Sequence, residues 1–237
     1  MIVSIMQPAY LPWLGYFHRI AMSDLHISLD HVQIDRNSKT KFANRNKIRT
    51  QQGWCWLTVP IKTKGRQGDL AIDQLEIAAD TDWAAKHWQT LKQNYARAPF
   101  FVQHAPFFEA IYARHWDRLV DLTGAITDYL LLALGIRTPA LKSSEMGVAG
   151  VKDELILNLC KAVNASTYLS GPFGRDYLDA RTFESAGIRL LFHDYQHPLY
   201  QQAYPGFEPY MSAVDLLFNL GPESLRVIME GQEKVPE

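Results

Sequence analysis

Apolar and polar positions alternate along the first thirty residues in blocks that predict three consecutive elements. Ile2-Val3-Ser4-Ile5-Met6 is a short apolar run with strand character, Gln7-Pro8-Ala9-Tyr10 is a proline-punctuated turn, and residues 11–22 carry apolar side chains at helical spacing. Leu25-His26-Ile27-Ser28-Leu29-Asp30 reads as a second strand closed by an acid. Strand, helix and strand in so short a span form a βαβ unit, and its right-handed crossover sets the second strand parallel to the first. The carboxyl ends of both strands then face one crevice. In open α/β sheets, anionic and nucleotide ligands sit at that crevice, where the following helix offers free N–H groups and the positive end of its dipole. Gln7, Gly15 and Tyr16 are nominated on this ground as substrate-binding positions.

Further along, residues 33–50 are polar and punctuated by Asn and Ser, which predicts a loop, and residues 54–60 alternate like a half-buried strand. A turn at 64–68 precedes another short strand at 72–77. From residue 82 the period becomes helical, with Trp83, His87, Leu91 and Tyr95 on one stripe ending near Ala98-Pro99. Helical stripes continue over 107–122 and 125–134, and Gly135 supplies a left-handed stop. An amphipathic helix over 152–163 leads to a strand at 167–171 and a second glycine turn, Gly171-Pro172-Phe173-Gly174-Arg175-Asp176-Tyr177. A helix at 179–186, a strand at 188–192 and a helix at 211–219 follow, with a polar tail that frays from about Gly231. The expected fold class is α/β: an N-terminal Rossmann-like parallel sheet, nucleotidylyltransferase-like in type, a mainly helical middle lobe and a C-terminal α/β segment. One two-lobed domain is expected, with portions at 1–80, 81–140 and 141–230 and a tail at 231–237.

Composition narrows the classes. At 237 residues and 47% hydrophobic content the chain can bury a sizeable core. With 24 Lys+Arg against 25 Asp+Glu, net charge −1, no global field argues for DNA wrapping or attraction to anionic membranes. Cys55 and Cys160 have neither the count nor the spacing of a disulfide framework or a zinc site, so they read as reduced structural thiols. No basic start or cleavage site marks a signal peptide, and the apolar run Tyr129-Leu130-Leu131-Leu132-Ala133-Leu134-Gly135-Ile136 is far short of the roughly 20 residues of a spanning helix. A cytoplasmic protein without a membrane span is expected, with oligomerisation left open.

Three constellations could carry chemistry. The stretch 35–49 holds six basic side chains in fifteen positions among asparagines. A loop built of Asn44, Arg45, Asn46 and Lys47 suits phosphate and sugar: Arg offers a planar fork, Lys a mobile charge, Asn a donor and an acceptor. In the second glycine turn, Gly171 and Gly174 would let backbone approach a ligand, with Arg175 and Asp176 at the lip. His193-Asp194-Tyr195-Gln196-His197-Pro198 places two histidines four apart, but Pro198 argues against a helix, the two need not share a face, and no third ligand completes a metal set. His18, on the first helix, and His193 are candidate general bases, since an imidazole titrates near neutral pH. Asp30, at the end of the second strand, competes for that role. No Gly-x-Ser-x-Gly elbow, Walker sequence or Gly-x-Gly-x-x-Gly fingerprint is present.

The motifs Met6-Gln7-Pro8, Pro12, Gly15-Tyr16-Phe17, Leu29-Asp30, Val32-Gln33, Asn44-Arg45-Asn46, Trp56-Leu57-Thr58-Val59-Pro60 and Tyr168-Leu169-Ser170-Gly171 follow one another across nearly the whole chain. In that order they resemble the WbqC-like proteins, which are encoded among O-antigen and other surface-polysaccharide genes. A role in attaching an aminoacyl group such as glycine to an amino sugar has been suggested for that family. The resemblance implies a cytoplasmic bacterial transferase of lipopolysaccharide biosynthesis. At superfamily level the first turn is also similar to nucleotidylyltransferases and pantoate ligase, whose helix opens on HxGH. The corresponding four here are Trp13-Leu14-Gly15-Tyr16, so only Gly15 carries over, with His18 further along the helix as a partial substitute.

The expectation is therefore a transferase forming an amide on a nucleotide-linked amino sugar, with an acyl or aminoacyl donor, an aminoacyl-tRNA among the candidates. No cofactor is required for that reaction. Nucleotidyl transfer is the alternative and would need Mg²⁺ and a nucleoside triphosphate. A non-catalytic module binding a nucleotide sugar or tRNA is the third. The leading reading expects Arg45 and Arg175 to converge over one pocket.

Overall fold

The computed structural model describes residues 1–33, 42–62 and 70–230. Residues 35–41 of the basic stretch, the turn expected at 64–68 and the tail expected from 231 lie outside the described residues.

The predicted βαβ unit is present. β1 (Ile2–Met6) runs into α1 (Leu14–Ala21) and then β2 (Leu25–Ser28), which pairs in parallel with β1 from Val3 opposite Leu25 to Met6 opposite Ser28. The sheet draws on both ends of the chain. β5 (Ala140–Lys142) joins β2, while β6 (Thr167–Ser170) joins the other side of β1 and β7 (Arg189–Phe192) joins β6, all in parallel. The order is β5-β2-β1-β6-β7.

The period of two along β1 assigns its faces. Val3 and Ile5 enter a core with Ile27, Leu29 and residues of α5 (Lys152–Ala162) and α6 (Ala180–Ser185), among them Leu155, Leu159 and Phe183. Met6 enters the other core with Tyr16, Phe17 and Ile20 of α1. Ser4, on the α1 side, would be an unpaired hydroxyl under a helix; it bonds His26 Nδ1 at 3.1 Å. The larger core continues through α2 (Trp83–Tyr95), α3 (Phe101–Ala113), α4 (Leu119–Leu134) and α7 (Ala213–Leu220). α4 ends at Gly135 with φ 75, the expected left-handed stop.

Several expectations are corrected. The stretch read as a loop ends in a strand: β3 (Arg45–Thr50) forms an antiparallel hairpin with β4 (Gly53–Thr58). Its alternation is disguised because one inward position is Asn46, buried and donating from Nδ2 to Leu11 O at 2.6 Å. The strand expected over 72–77 is a 3₁₀ turn at Ile72–Gln74, with Ile77 bridged to Ile61. The helix expected over 107–122 breaks, because the backbone at 117–119 pairs instead with residues 75–77: Ile77 N donates to Asp117 O and Leu119 N to Leu75 O. Part of the polar tail is helical, as α8 (Ser224–Glu230) buries Val227 and Ile228 and packs on α1.

A buried polar knot ties the hairpin to the helices. Asp215, in the first turn of α7, accepts from Tyr95 Oη at 2.8 Å, Tyr200 Oη at 2.7 Å and Gln202 Nε2 at 2.9 Å. Tyr95 Oη in turn accepts from Arg49 N at 2.9 Å. The Arg49 guanidinium donates to the carbonyls of Thr50, Gly53 and Pro205, so this cation is consumed in the fold.

Candidate functional site

β1 has β2 on one side and β6 on the other, so the chain turns opposite ways from its two neighbours at the carboxyl end of β1. That is where an open parallel sheet leaves a crevice. A cavity of about 640 Å³ opens there, within the range of small-molecule sites. Its walls are the segment from Met6 to Ala9, Gly15, Tyr16 and Arg19 of α1, Ser170 and Gly171 after β6, and His193 after β7.

The turn between β1 and α1 is held from outside. Leu11 is buried and sits at φ 47, a conformation costly for a side chain with a Cβ. Asn46 grips its carbonyl, Tyr10 N donates to Phe42 O, and Ala213 N donates to Pro12 O. This fixes where α1 begins and hence which of its residues face the cavity.

Gly15, Tyr16 and Arg19 lie on one face of α1 by the i, i+4 rule, and all three line the cavity. Arg19 Nε donates to Met6 Sδ at 2.8 Å, a weak acceptor, and no carboxylate among the described residues pairs with the guanidinium. Burial lowers its pKa, yet an arginine stays charged, so the cavity holds a partly desolvated cation whose terminal nitrogens have no hydrogen-bond partner among the described residues. Sequence reasoning passed over Arg19. The signal that could have found it is the helical spacing from Gly15, already nominated.

Gly171 makes room for this cation, and Gly174 for Ser170. A Cβ on Gly171 would lie 2.4 Å from Arg19 Nη1, and one on Gly174 would lie 2.1 Å from Ser170 Oγ. They admit the protein's own side chains, where the sequence suggested room for a ligand. Both still line the cavity, and a Cβ on Gly15 would strike the Tyr195 ring at 2.9 Å.

His18 and His193, 175 residues apart in sequence, meet: His18 Nδ1 is 2.7 Å from His193 Nε2. One nitrogen must donate and the other accept, so the accepting ring is neutral. Burial holds His18 down to about 4, and burial with the charge of Arg19 and the neighbouring His18 holds His193 down to about 3. His193 lines the cavity with its Nδ1 free of hydrogen bonds among the described residues, while His18 stands behind it. Tyr195 and His197 line the same cavity, because an extended segment puts 193, 195 and 197 on one side. Although the sequence did not require His193 and His197 to share a face, both line this cavity. His197 Nδ1 donates to Pro198 O at 2.9 Å, leaving its buried Nε2 without a partner among the described residues. No three His, Cys, Asp or Glu among the described residues cluster as a metal set.

The remaining nominated residues lie elsewhere. Asp30 is buried and its carboxylate accepts from Ser143 Oγ at 2.9 Å, Ser144 N at 2.9 Å and Ser144 Oγ at 2.7 Å. Three donors leave it the geometry of a clamp between the end of β2 and the Ser143–Glu145 turn. Arg175 is paired with Asp194 through both terminal nitrogens and stacks on Phe192, outside the cavity lining. Asp176 is exposed beside it. Asn44 Nδ2 donates to Val59 O at 2.8 Å, Asn46 holds the turn, and Arg45 and Lys47 pack on tryptophans of the hairpin. Arg45 and Arg175 therefore do not converge over this pocket; Gln7, exposed and without a hydrogen bond among the described residues, lines it with Arg19.

Comparison with known proteins agrees over most of the chain. The family model described as the WbqC-like protein family matches residues 7–227. An uncharacterized protein of Mycobacterium tuberculosis is similar, 38% identical over 224 residues that span 94% of this chain and 95% of that one. No solved structure matches the chain.

Proposed function

The chain belongs to the WbqC-like protein family, and from that premise we propose that it is a transferase forming an amide on a nucleotide-linked amino sugar, with a product destined for bacterial surface polysaccharide. The observation that carries this reading is the meeting of the Arg19 guanidinium, without a carboxylate partner among the described residues, and the His193 imidazole in one cavity at the β1/β6 junction. The parallel order β5-β2-β1-β6-β7 supports a Rossmann-like reading of the sheet, in which phosphates lie beyond the strand ends.

Arg19 would bind the anionic part of the sugar nucleotide, and Gln7 would donate to or accept from it. The neutral amine of the sugar attacks the carbonyl carbon of an acyl or aminoacyl ester or thioester. Its proton passes to His193 Nδ1 as the C–N bond forms. The bond to the leaving alcohol or thiol then breaks, and His193 returns the proton to it. When His193 is protonated, its Nε2–H donates to His18 Nδ1, so His18 orients the ring and shares the charge. Burial is the main cause that holds His193 down, and an anion on Arg19 offsets the smaller contribution of the arginine charge, so substrate binding moves its basicity upward.

The nucleotidyl-transfer alternative finds Trp13 and Tyr16 at the two histidine positions of that motif, and both rings line the cavity. The experiment is mass spectrometry of nucleotide amino sugars incubated with the protein and candidate acyl and aminoacyl donors. A gain equal to one acyl group is expected. Pyrophosphate release from a nucleoside triphosphate and a sugar phosphate, with no acyl gain, would replace this reading by the alternative.

A further inference from the structure

We propose that the outer face of the β3-β4 hairpin is a second binding subsite, for a pyranose ring that carries negative charge, and that it leads into the mouth of the cavity. Arg45 and Lys47 alternate along β3 and share a face with Trp54 and Trp56 of β4, since Lys47 pairs with Trp56 across the ladder. Lys47 Nζ sits 4.5 Å from the Trp54 ring centre and 5.7 Å from that of Trp56, and Arg45 Cζ sits 4.4 Å over Trp56. Trp54 is 44% exposed and Trp56 36%, so two large apolar rings present part of their surface to solvent on one face of the hairpin. No carboxylate among the described residues pairs with either cation. The rings hold the two charges in place, so an anion meets a preformed pair and an apolar surface together.

The face is continuous with the cavity. Phe42 lies 6.3 Å from Trp56 and 4.8 Å from Trp13, and Phe42 and Trp13 both line the cavity. Lys47 O also accepts from Ser212 N, joining β3 to the segment that carries Tyr210 at the cavity wall. A ring with one apolar face and a carboxylate or phosphate satisfies both components. A single-stranded nucleic acid offers stacking and charge too, but its affinity grows with a long run of phosphate contacts, and this chain carries net charge −1.

The inference stands apart from the reaction in the cavity. It is tested by following the ¹⁵N indole signals of Trp54 and Trp56 in the full chain during titration. The probes are a hyaluronate tetrasaccharide, glucose 1-phosphate, neutral chitotetraose and oligothymidylate. Saturable movement of both indoles with the hyaluronate or the sugar phosphate is expected, and which of them binds tells the uronate source from the phosphate source. Affinity should fall at least tenfold in Lys47→Gln and be unchanged in Arg19→Gln. Indoles that do not respond to either anionic probe, that respond equally to chitotetraose, or that bind oligothymidylate more tightly with steep salt dependence would overturn the inference.

Discussion

His18 Nδ1 lies 2.7 Å from His193 Nε2, linking the first helix to the end of the last sheet strand at the back of the cavity. The bond leaves His193 Nδ1 as the free nitrogen on the cavity side, and it makes His18 a positioning residue whose removal should be milder. Replacing His193 by Gln should lower kcat by about 10²–10⁴-fold, the usual contribution of a general base. His18→Leu should lower it less and shift the acid limb of the kcat/KM profile, because the charge on His193 then lacks an acceptor. Equal kcat in wild type and His193→Gln contradicts the assignment.

Buried neutral histidines predict acid lability. Burial holds His18 and His87 down to about 4 and His26 and His193 to about 3, all below the ordinary 6.5. Between those values the unfolded chain binds more protons than the folded one, so stability rises with pH. The contribution is complete above about 6.5 and is lost as pH falls toward 3. Thermal unfolding followed from pH 7.5 to 4 should show a falling Tm, with a shallower slope in the His18→Gln/His193→Gln double variant.

Gly171→Ala separates the site from the fold. The added Cβ meets only the flexible end of Arg19, which can move away. Tm should change by no more than about 2–4 °C, the shift of about 1 kcal/mol in a chain of this size, while affinity for an anionic ligand should fall about tenfold. Gly174→Ala meets Ser170 Oγ, Leu178 Cδ1 and Phe192 Cε1 at once and should destabilise the protein more, as differential scanning calorimetry would show.

Much of the frame was legible in the chain because local period and local burial agree there. The first βαβ unit, α5, β6 and β7 all read correctly, since their apolar positions repeat with the element's own spacing. β3 did not, because Arg45-Asn46-Lys47-Ile48-Arg49-Thr50 puts an asparagine, bound to the Leu11 carbonyl, beside Ile48 on its inward face, and its outward Arg49 is buried by bonds to Gly53 and Pro205. The same reason misdirected the site. Charge near a turn is visible in sequence, but whether that charge is already spent is a tertiary fact. Arg175 is spent on Asp194 and Asp30 on two serines, whereas half-buried Arg19 on α1 lines the cavity with no carboxylate partner among the described residues.

Asn46 is predicted to be a stability residue. Removing its side chain in Asn46→Ala frees the Leu11 carbonyl and the Lys47 amide, at a cost of about 1–3 kcal/mol for buried groups left unpaired. Chemical denaturation should report that loss with an unchanged m-value. Asp30→Ala should cost about 1.5–3 kcal/mol by the same measurement, since its carboxylate accepts three bonds.

The claim on which the rest depends is that Arg19 is the anion anchor of the cavity. Isothermal titration of UDP-glucosamine into wild type, Arg19→Gln and Arg175→Gln tests it directly. Saturable binding is expected to wild type and Arg175→Gln alike, with at least a tenfold loss in Arg19→Gln. Wild-type affinity in Arg19→Gln, or a loss confined to Arg175→Gln, would contradict it.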